Sequence, residues 1–197
     1  MKFKCLSVLI FTCFANFASA MIEAGSPALN FTLQDKAGKD ISLGNYFGKI
    51  IVLEWRDPNC SYVQKHYSTE NMQNLQKKYT LNSDIVWLTI QVGKSKDELK
   101  AYATDVLLDP AREVTKMYGI TKIPEIVIIN KAGYVVYRGA VDSIRSNLTE
   151  DVGRVKANYI ANTLDAILSS YPVSVSHTRP YGCDVAKLGP APFERVA

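Results

Sequence analysis

The chain has 197 residues, 47% of them hydrophobic and 21% charged, with a formal net charge of +4. That is enough apolar material for one domain with a sizeable core, with no disulfide framework or metal required for folding. The charge falls to about +2 without Lys2 and Lys4, and the remaining basic residues are interspersed with acids, so nucleic-acid binding gains no support.

Residues 1–20 carry Lys2 and Lys4, an apolar run from Leu6 to Phe14, and Ala18-Ser19-Ala20, which together read as a cleavable secretory signal. The run is too short for a permanent span, and no later stretch approaches the roughly 18 apolar residues a span requires. The expected product is exported, periplasmic or secreted. Cys5 and Cys13 leave with the signal, so two of the four cysteines remain, Cys60 and Cys183. In an oxidising compartment such a pair either staples the fold or cycles in a reaction, and the count does not choose between them.

After the signal, Pro27 to Asp35 and Asp40 to Leu43 alternate in polarity around a turn containing Gly38, which predicts a hairpin. Ile50 to Trp55 is a near-continuous apolar run, the pattern of a strand covered on both faces. It leads through Arg56-Asp57-Pro58-Asn59 to Cys60, and Val63, Tyr67, Met72 and Leu75 then space an amphipathic helix over 61–79. A second buried strand is expected over 85–90 and a polar helical stretch over 96–104. Pro110 takes a plausible first helical position ahead of a helix reaching Tyr118. Ile126 to Ile129 and Tyr134 to Tyr137 form another hairpin around Asn130-Lys131-Ala132-Gly133. Val152, Val155, Tyr159, Leu164 and Leu168 mark a late helix that Pro172 stops. Strands alternating with helices before a closing hairpin imply an α/β fold, a mixed sheet with helices on both faces. Residues 172–197, rich in proline and without periodicity, read as an extended arm.

Cys60 is the most informative residue. It stands where a buried strand hands over to a helix, and the unpaired N–H groups and positive dipole end of a helix start favour thiolate over thiol. A lowered pKa is what makes a cysteine nucleophilic. The bland alternative is an inert thiol or one half of a permanent bridge.

Several segments carry a family likeness. Leu53-Glu54-Trp55-Arg56-Asp57-Pro58-Asn59-Cys60 resembles the strand and loop that deliver the active-site cysteine in thioredoxin-like proteins. Gly119-Ile120-Thr121-Lys122-Ile123-Pro124 resembles the segment bearing that fold's cis-proline. The opening Gly25 to Leu33 and the Asp35 to Gly38 turn look like the redoxin branch, which includes the alkyl hydroperoxide reductase/thiol-specific antioxidant group. The resemblance implies a thioredoxin-like redoxin domain over 21–171, with an N-terminal hairpin extension and the arm appended over 172–197.

The departures from that pattern narrow the chemistry. Val63 occupies the place of a Cys-x-x-Cys resolving thiol, so local dithiol exchange is impossible. Asp57 stands where peroxiredoxins carry a hydroxyl residue, which removes the best positional support for a thiol peroxidase, because an aspartate there disfavours a nearby thiolate by like-charge repulsion and, when ionised, cannot donate to peroxide. The tail Pro180-Tyr181-Gly182-Cys183 is similar to that of exported redoxin-like proteins that pair a single active-site cysteine with a Tyr-Gly-Cys tail. This implies a distal couple in which Cys60 attacks and Cys183 resolves, with Gly182 supplying unusual backbone angles. The same bond could equally be structural, since its long loop would constrain the unfolded chain.

Three further residues are expected to support the site. Pro124, if cis, leaves neighbouring backbone free to pair with an extended peptide. Glu54 interrupts a buried strand where relatives place a proton-relaying acid, or else it pairs with a lysine. Arg56 could steady the thiolate, although a solvated outward orientation is the simpler expectation. His66 is expected to pack rather than act as a base, and His177 to sit in a solvated arm. No bound cofactor is required, because sulfur itself carries the two electrons. The implied partners are an external thiol reductant or oxidant and a protein thiol, a disulfide or a peroxide. A binding module with a locked Cys60–Cys183 bridge is the non-enzymatic alternative, and the two thiols with His177 lack a convincing metal-ligand spacing.

Overall fold

The computed structural model of the chain describes residues 22–93 and 99–189. The signal read at 1–20 lies outside them, as do positions 96–98 of the expected helix and the last eight residues of the arm.

The first hairpin forms as expected. Strand β1 (Thr32–Asp35) pairs antiparallel with β2 (Asp40–Ser42), and the Asp35 carboxylate accepts from the backbone N–H groups of Ala37 and Lys39 to close the turn. Strand β3 (Ile50–Arg56) is buried at every position, and β4 (Ile85–Gln91) runs parallel beside it. A short β5 (Asp105–Leu108) lies parallel to β4 and links it to β1. After the two-residue β6 (Lys122–Ile123), β7 (Glu125–Ile129) returns antiparallel to β3 and turns through Asn130 into β8 (Val135–Gly139). The resulting seven-stranded mixed sheet has the order β2-β1-β5-β4-β3-β7-β8. No helix among the described residues is long and apolar enough to cross a membrane.

Helices cover both faces. On one lie α1 (Ser61–Ser68), α2 (Asn71–Thr80) and α4 (Tyr159–Leu168), with Tyr79 of α2 donating to Asp165 of α4. On the other lies α3 (Glu113–Met117), where Thr115 accepts from the Trp55 indole and the Tyr118 ring sits 5.2 Å from it. Trp55 and Trp87 are fully buried, as core aromatics.

Four helical expectations change, each for a local reason. The helix over 61–79 is two helices, broken at Glu70, which takes φ 56°. The Ser68-Thr69-Glu70-Asn71 run offers side chains that compete with the helix ladder. Thr69 Oγ1 donates to the Lys65 carbonyl at 2.6 Å and Gln73 Nε2 to the Tyr67 carbonyl at 2.7 Å, so the ending carbonyls of α1 are satisfied without continuation. Residues 99–104 are not helical; Thr104 pairs with the Trp87 backbone and Tyr102 N–H donates to Gln76, which lays this stretch beside β4. Pro110 does not open α3. Asp109 does, its carboxylate accepting from Glu113 N, Thr115 N and Thr115 Oγ1. The late helix begins at Tyr159 behind an Asn158 cap rather than at Val152.

The arm is extended but docked. Ser176 and Thr178 bond the backbone of Arg138, which covers the outer edge of β8. Beyond it, β9 (Cys183–Asp184) pairs antiparallel with β6 as a separate two-stranded ribbon.

Candidate active site

The site forms where β3 runs out. Asp57 is nearly buried, and its Oδ1 accepts from the backbone and side-chain nitrogens of Asn59 at 2.9 and 3.0 Å, while its carbonyl accepts from Cys60 N–H. The carboxylate thus folds the loop that presents the cysteine. Gly93 makes room for it, since a Cβ there would stand 2.3 Å from Asp57 Oδ1. Cys60 is the N-terminal cap of α1, 1% exposed, with its sulfur 3.3 Å from the carbonyl oxygen of Ile123.

The Ile123–Pro124 peptide is cis, as the sequence suggested. The backbone beside it is not free, however: Ile123 faces Cys183 and Lys122 faces Asp184 across the β6–β9 ribbon. A disulfide joins Cys60 to Cys183, with Cα atoms 5.9 Å apart and a sequence separation of 123. Gly182 takes φ 131°, and a Cβ there would fall 1.9 Å from Ile123 O. Glycine is the residue that lets the arm lie this close to the cis-proline segment.

The arm is anchored on both sides of Cys183. Upstream, Thr178 Oγ1 accepts from Ala140 N–H and lies 2.6 Å from the Tyr137 hydroxyl. Tyr181, 8% exposed, donates to Asp142 Oδ1 at 2.6 Å, with its oxygen 3.4 Å from His66 Nε2 and its ring beneath the Lys65 ammonium. Burial, reinforced by the Asp142 carboxylate, pushes the Tyr181 phenol far up, so it stays a donor. Burial first, and the neighbouring Lys65 second, push His66 down to about 3, which keeps this imidazole neutral. Downstream, Arg112 donates to the carbonyls of Val185, Leu188 and Gly189, and Lys122 pairs with Asp184 at 3.3 Å.

Glu54 and Arg56 lie under α1 and α2, and each departs from one expectation. Glu54 is fully buried without a lysine partner. It accepts instead from Tyr67 Oη, Gln76 Nε2, Trp87 Nε1 and Thr89 Oγ1 at 2.7 to 3.3 Å. Arg56 is fully buried rather than solvated, donating twice to Gln91 Oε1 and stacking 5.1 Å from the Tyr67 ring centroid. Both therefore grip Tyr67, a residue of the helix that Cys60 caps. His66 packs as expected, and His177 is exposed beside Arg138.

Sequence reasoning missed two buried clusters. One is the Tyr181–Asp142–His66 latch, whose local signal is a lone tyrosine before Gly182 with no hint of its distant partners. The other is Glu125, next to Pro124, which Arg138 Nε grips at 2.7 Å. Burial pushes that carboxyl up to about 7 against the pull of Arg138. A bare acid after Ile-Pro gives no local hint of a partner 13 residues away.

Residues 23–153 match the Redoxin family model. The thiol-disulfide oxidoreductase ResA of Bacillus subtilis is 32% identical over 121 residues, which is 58% of this chain and 66%, just short of two thirds, of that relative. Among solved structures, an uncharacterized conserved protein from Geobacillus kaustophilus superposes with a TM-score of 0.67 at 21% identity, covering 87% of this chain and 95% of its own. The thioredoxin domain of a thiol-disulfide oxidoreductase from Bacteroides vulgatus does so with a TM-score of 0.51 at 19% identity, covering 68% and 97%. These likenesses establish a thioredoxin-like fold. Cys183 lies beyond the matched residues 23–153.

Proposed function

The chain belongs to the redoxin family, and from that premise we propose that it is an exported thiol–disulfide oxidoreductase working through a distal Cys60–Cys183 couple. The observation that carries the reading is the bond itself, which ties the cysteine capping α1 to a strand paired beside Pro124. A helix start lowers the cost of a thiolate at Cys60. With the pair reduced, Cys60 thiolate attacks a substrate disulfide, forming a Cys60–substrate bond and expelling one substrate thiolate. Cys183 thiolate then attacks the Cys60 sulfur, the protein disulfide forms, and the second substrate thiolate leaves. Two electrons pass to the substrate; run backwards, the same steps oxidise a dithiol. The relatives named as thiol-disulfide oxidoreductases support a protein thiol or disulfide as the substrate class.

Glu54 and Arg56 serve as positioning residues, because both hold Tyr67 and through it the helix under Cys60. Export rests on the signal pattern at 1–20. A thiol-peroxidase role has less support: Cys60 is sealed under the arm, and Asp57 is committed to folding its loop. The non-enzymatic reading draws on the arm's many other anchors, which a permanent staple would share.

The reduction potential of the Cys60–Cys183 pair, measured with turnover of a protein disulfide, separates these readings. A potential well above about −300 mV is expected, together with at least a thousandfold loss of turnover in Cys60→Ser. A potential below that value with no turnover would leave a structural bridge. Peroxide consumption that disappears in Cys60→Ser would select the peroxidase.

A further inference from the structure

Resting on that reading, we infer that the arm occupies the molecule's own substrate position, and that in the oxidised protein the sulfur receiving an incoming thiolate is Cys183 rather than the family cysteine Cys60. Three independent features lead there.

The first is backbone occupancy. The β6 segment ahead of Pro124 has its pairing partner in the chain itself, with Cys183 directly opposite Ile123. A partner approaching the oxidised protein meets the outer side of the arm, not an open strand edge. The second is access. Cys60 is 1% exposed, packed in the core with its sulfur against Ile123 O, while Cys183 is only partly buried. Thiol–disulfide exchange depends on which sulfur the nucleophile can reach. The third is the leaving group. Attack on Cys183 expels Cys60 at the N-terminus of the eight-residue α1, where thiolate is favoured; attack on Cys60 would expel Cys183, which is followed only by the three-residue 3-10 turn Val185–Lys187, whose cap position the Asp184 carboxylate already fills. The sulfur whose thiolate is more stable leaves faster.

The exchange balances as follows. A partner thiolate attacks the Cys183 sulfur, a partner–Cys183 disulfide forms, and the Cys60–Cys183 bond breaks with its electron pair on Cys60. The second thiolate of the same external dithiol then attacks the partner sulfur, closing the partner's own disulfide and releasing Cys183. The two thiol protons of the partner end on Cys60 and Cys183. Because Tyr181 and Arg112 grip the arm on either side, the mixed disulfide is presented on a tethered strand. Cys60 is thereby reserved for the opposite half-reaction.

The test uses the oxidised full-length mature protein and reduced glutathione as the probe. Samples are quenched with acid within the first few per cent of reaction, alkylated, and mapped by peptide mass spectrometry, with turnover of a protein disulfide measured in parallel. Glutathione is expected on Cys183 and the alkyl group on Cys60, with an excess of about tenfold or more over the reverse pattern. Adducts on Cys60, or equally on both, with turnover intact would overturn this assignment and leave the oxidoreductase reading standing. Absence of any adduct together with absence of turnover would overturn both.

Discussion

The two sulfurs of this molecule live in regions built by different forces. Cys60 belongs to a core in which β3, β4 and β7 are buried along nearly their whole length, so its position is set by apolar packing that opens only when the domain does. Cys183 belongs to an arm whose apolar residues beside Tyr181 are only partly buried, held by the Thr178, Tyr181 and Arg112 hydrogen bonds and the half-buried Lys122–Asp184 pair. Segments of that kind open locally at a fraction of the global free energy. One sulfur is therefore fixed and the other is tethered. A distal couple can work on that difference: the fixed sulfur keeps its helix, and the tethered one visits it at high effective concentration.

The largest break in this comparison should come from Gly182→Ala. Its Cβ would meet backbone atoms of Ile123 at 1.9 and 2.6 Å, in a region of φ that non-glycine residues avoid, so β9 cannot seat against β6. The Cys60–Cys183 linkage recovered after oxidation should fall by at least about tenfold in non-reducing peptide maps, while the core keeps its melting transition. Full linkage would show that the arm finds Cys60 without the ribbon. A smaller effect is expected from Tyr181→Phe, which deletes the donor to a buried carboxylate, an interaction worth about 1.5–3 kcal/mol. Equilibration against glutathione should show the effective concentration of Cys183 reduced by about tenfold or more. No change would mean that the disulfide alone holds the arm.

Much of the core was legible because its signals are local. Ile50 to Trp55 reads as a covered strand from its own composition, and the Ile123-Pro124 segment and the Cys60 loop read from their order and context. The helix limits were less legible, since each depended on a side chain capping its own neighbours: Thr69 on Lys65, Asp109 on Thr115. The arm's anchors were not legible at all. Tyr181 finds Asp142 and His66 at separations of 39 and 115 residues, and nothing in Gly139-Ala140-Val141-Asp142 announces a buried carboxylate. Arg56 misled for a related reason. Its charge suggests solvent, yet Gln91, directly opposite on β4, and the Tyr67 ring from α1 take it out of water.

The subtlest contrast is one of sign. His66, beneath the arm's latch, has its pKa depressed from 6.5 to about 3, so the stability it contributes is present above pH 6.5 and is lost as pH falls toward 3. Glu125, beside the cis-proline, is raised from 4.5 to about 7, so its contribution is present below pH 4.5 and is lost as pH rises through 7. Between pH 7 and 5 the unfolded state takes up the His66 proton while the folded state takes up the Glu125 proton, so the two groups push stability in opposite directions. With respect to these two groups, denaturant titrations of the wild type should slope less over that window than those of either single variant. His66→Asn, with the acid-labile term gone, should gain stability as pH drops from 7 to 5; Glu125→Gln should lose it. The slope is the readout, so an overall destabilisation of either variant does not obscure the answer. Parallel slopes in both variants would mean that the latch and the cis-proline segment do not titrate in opposition.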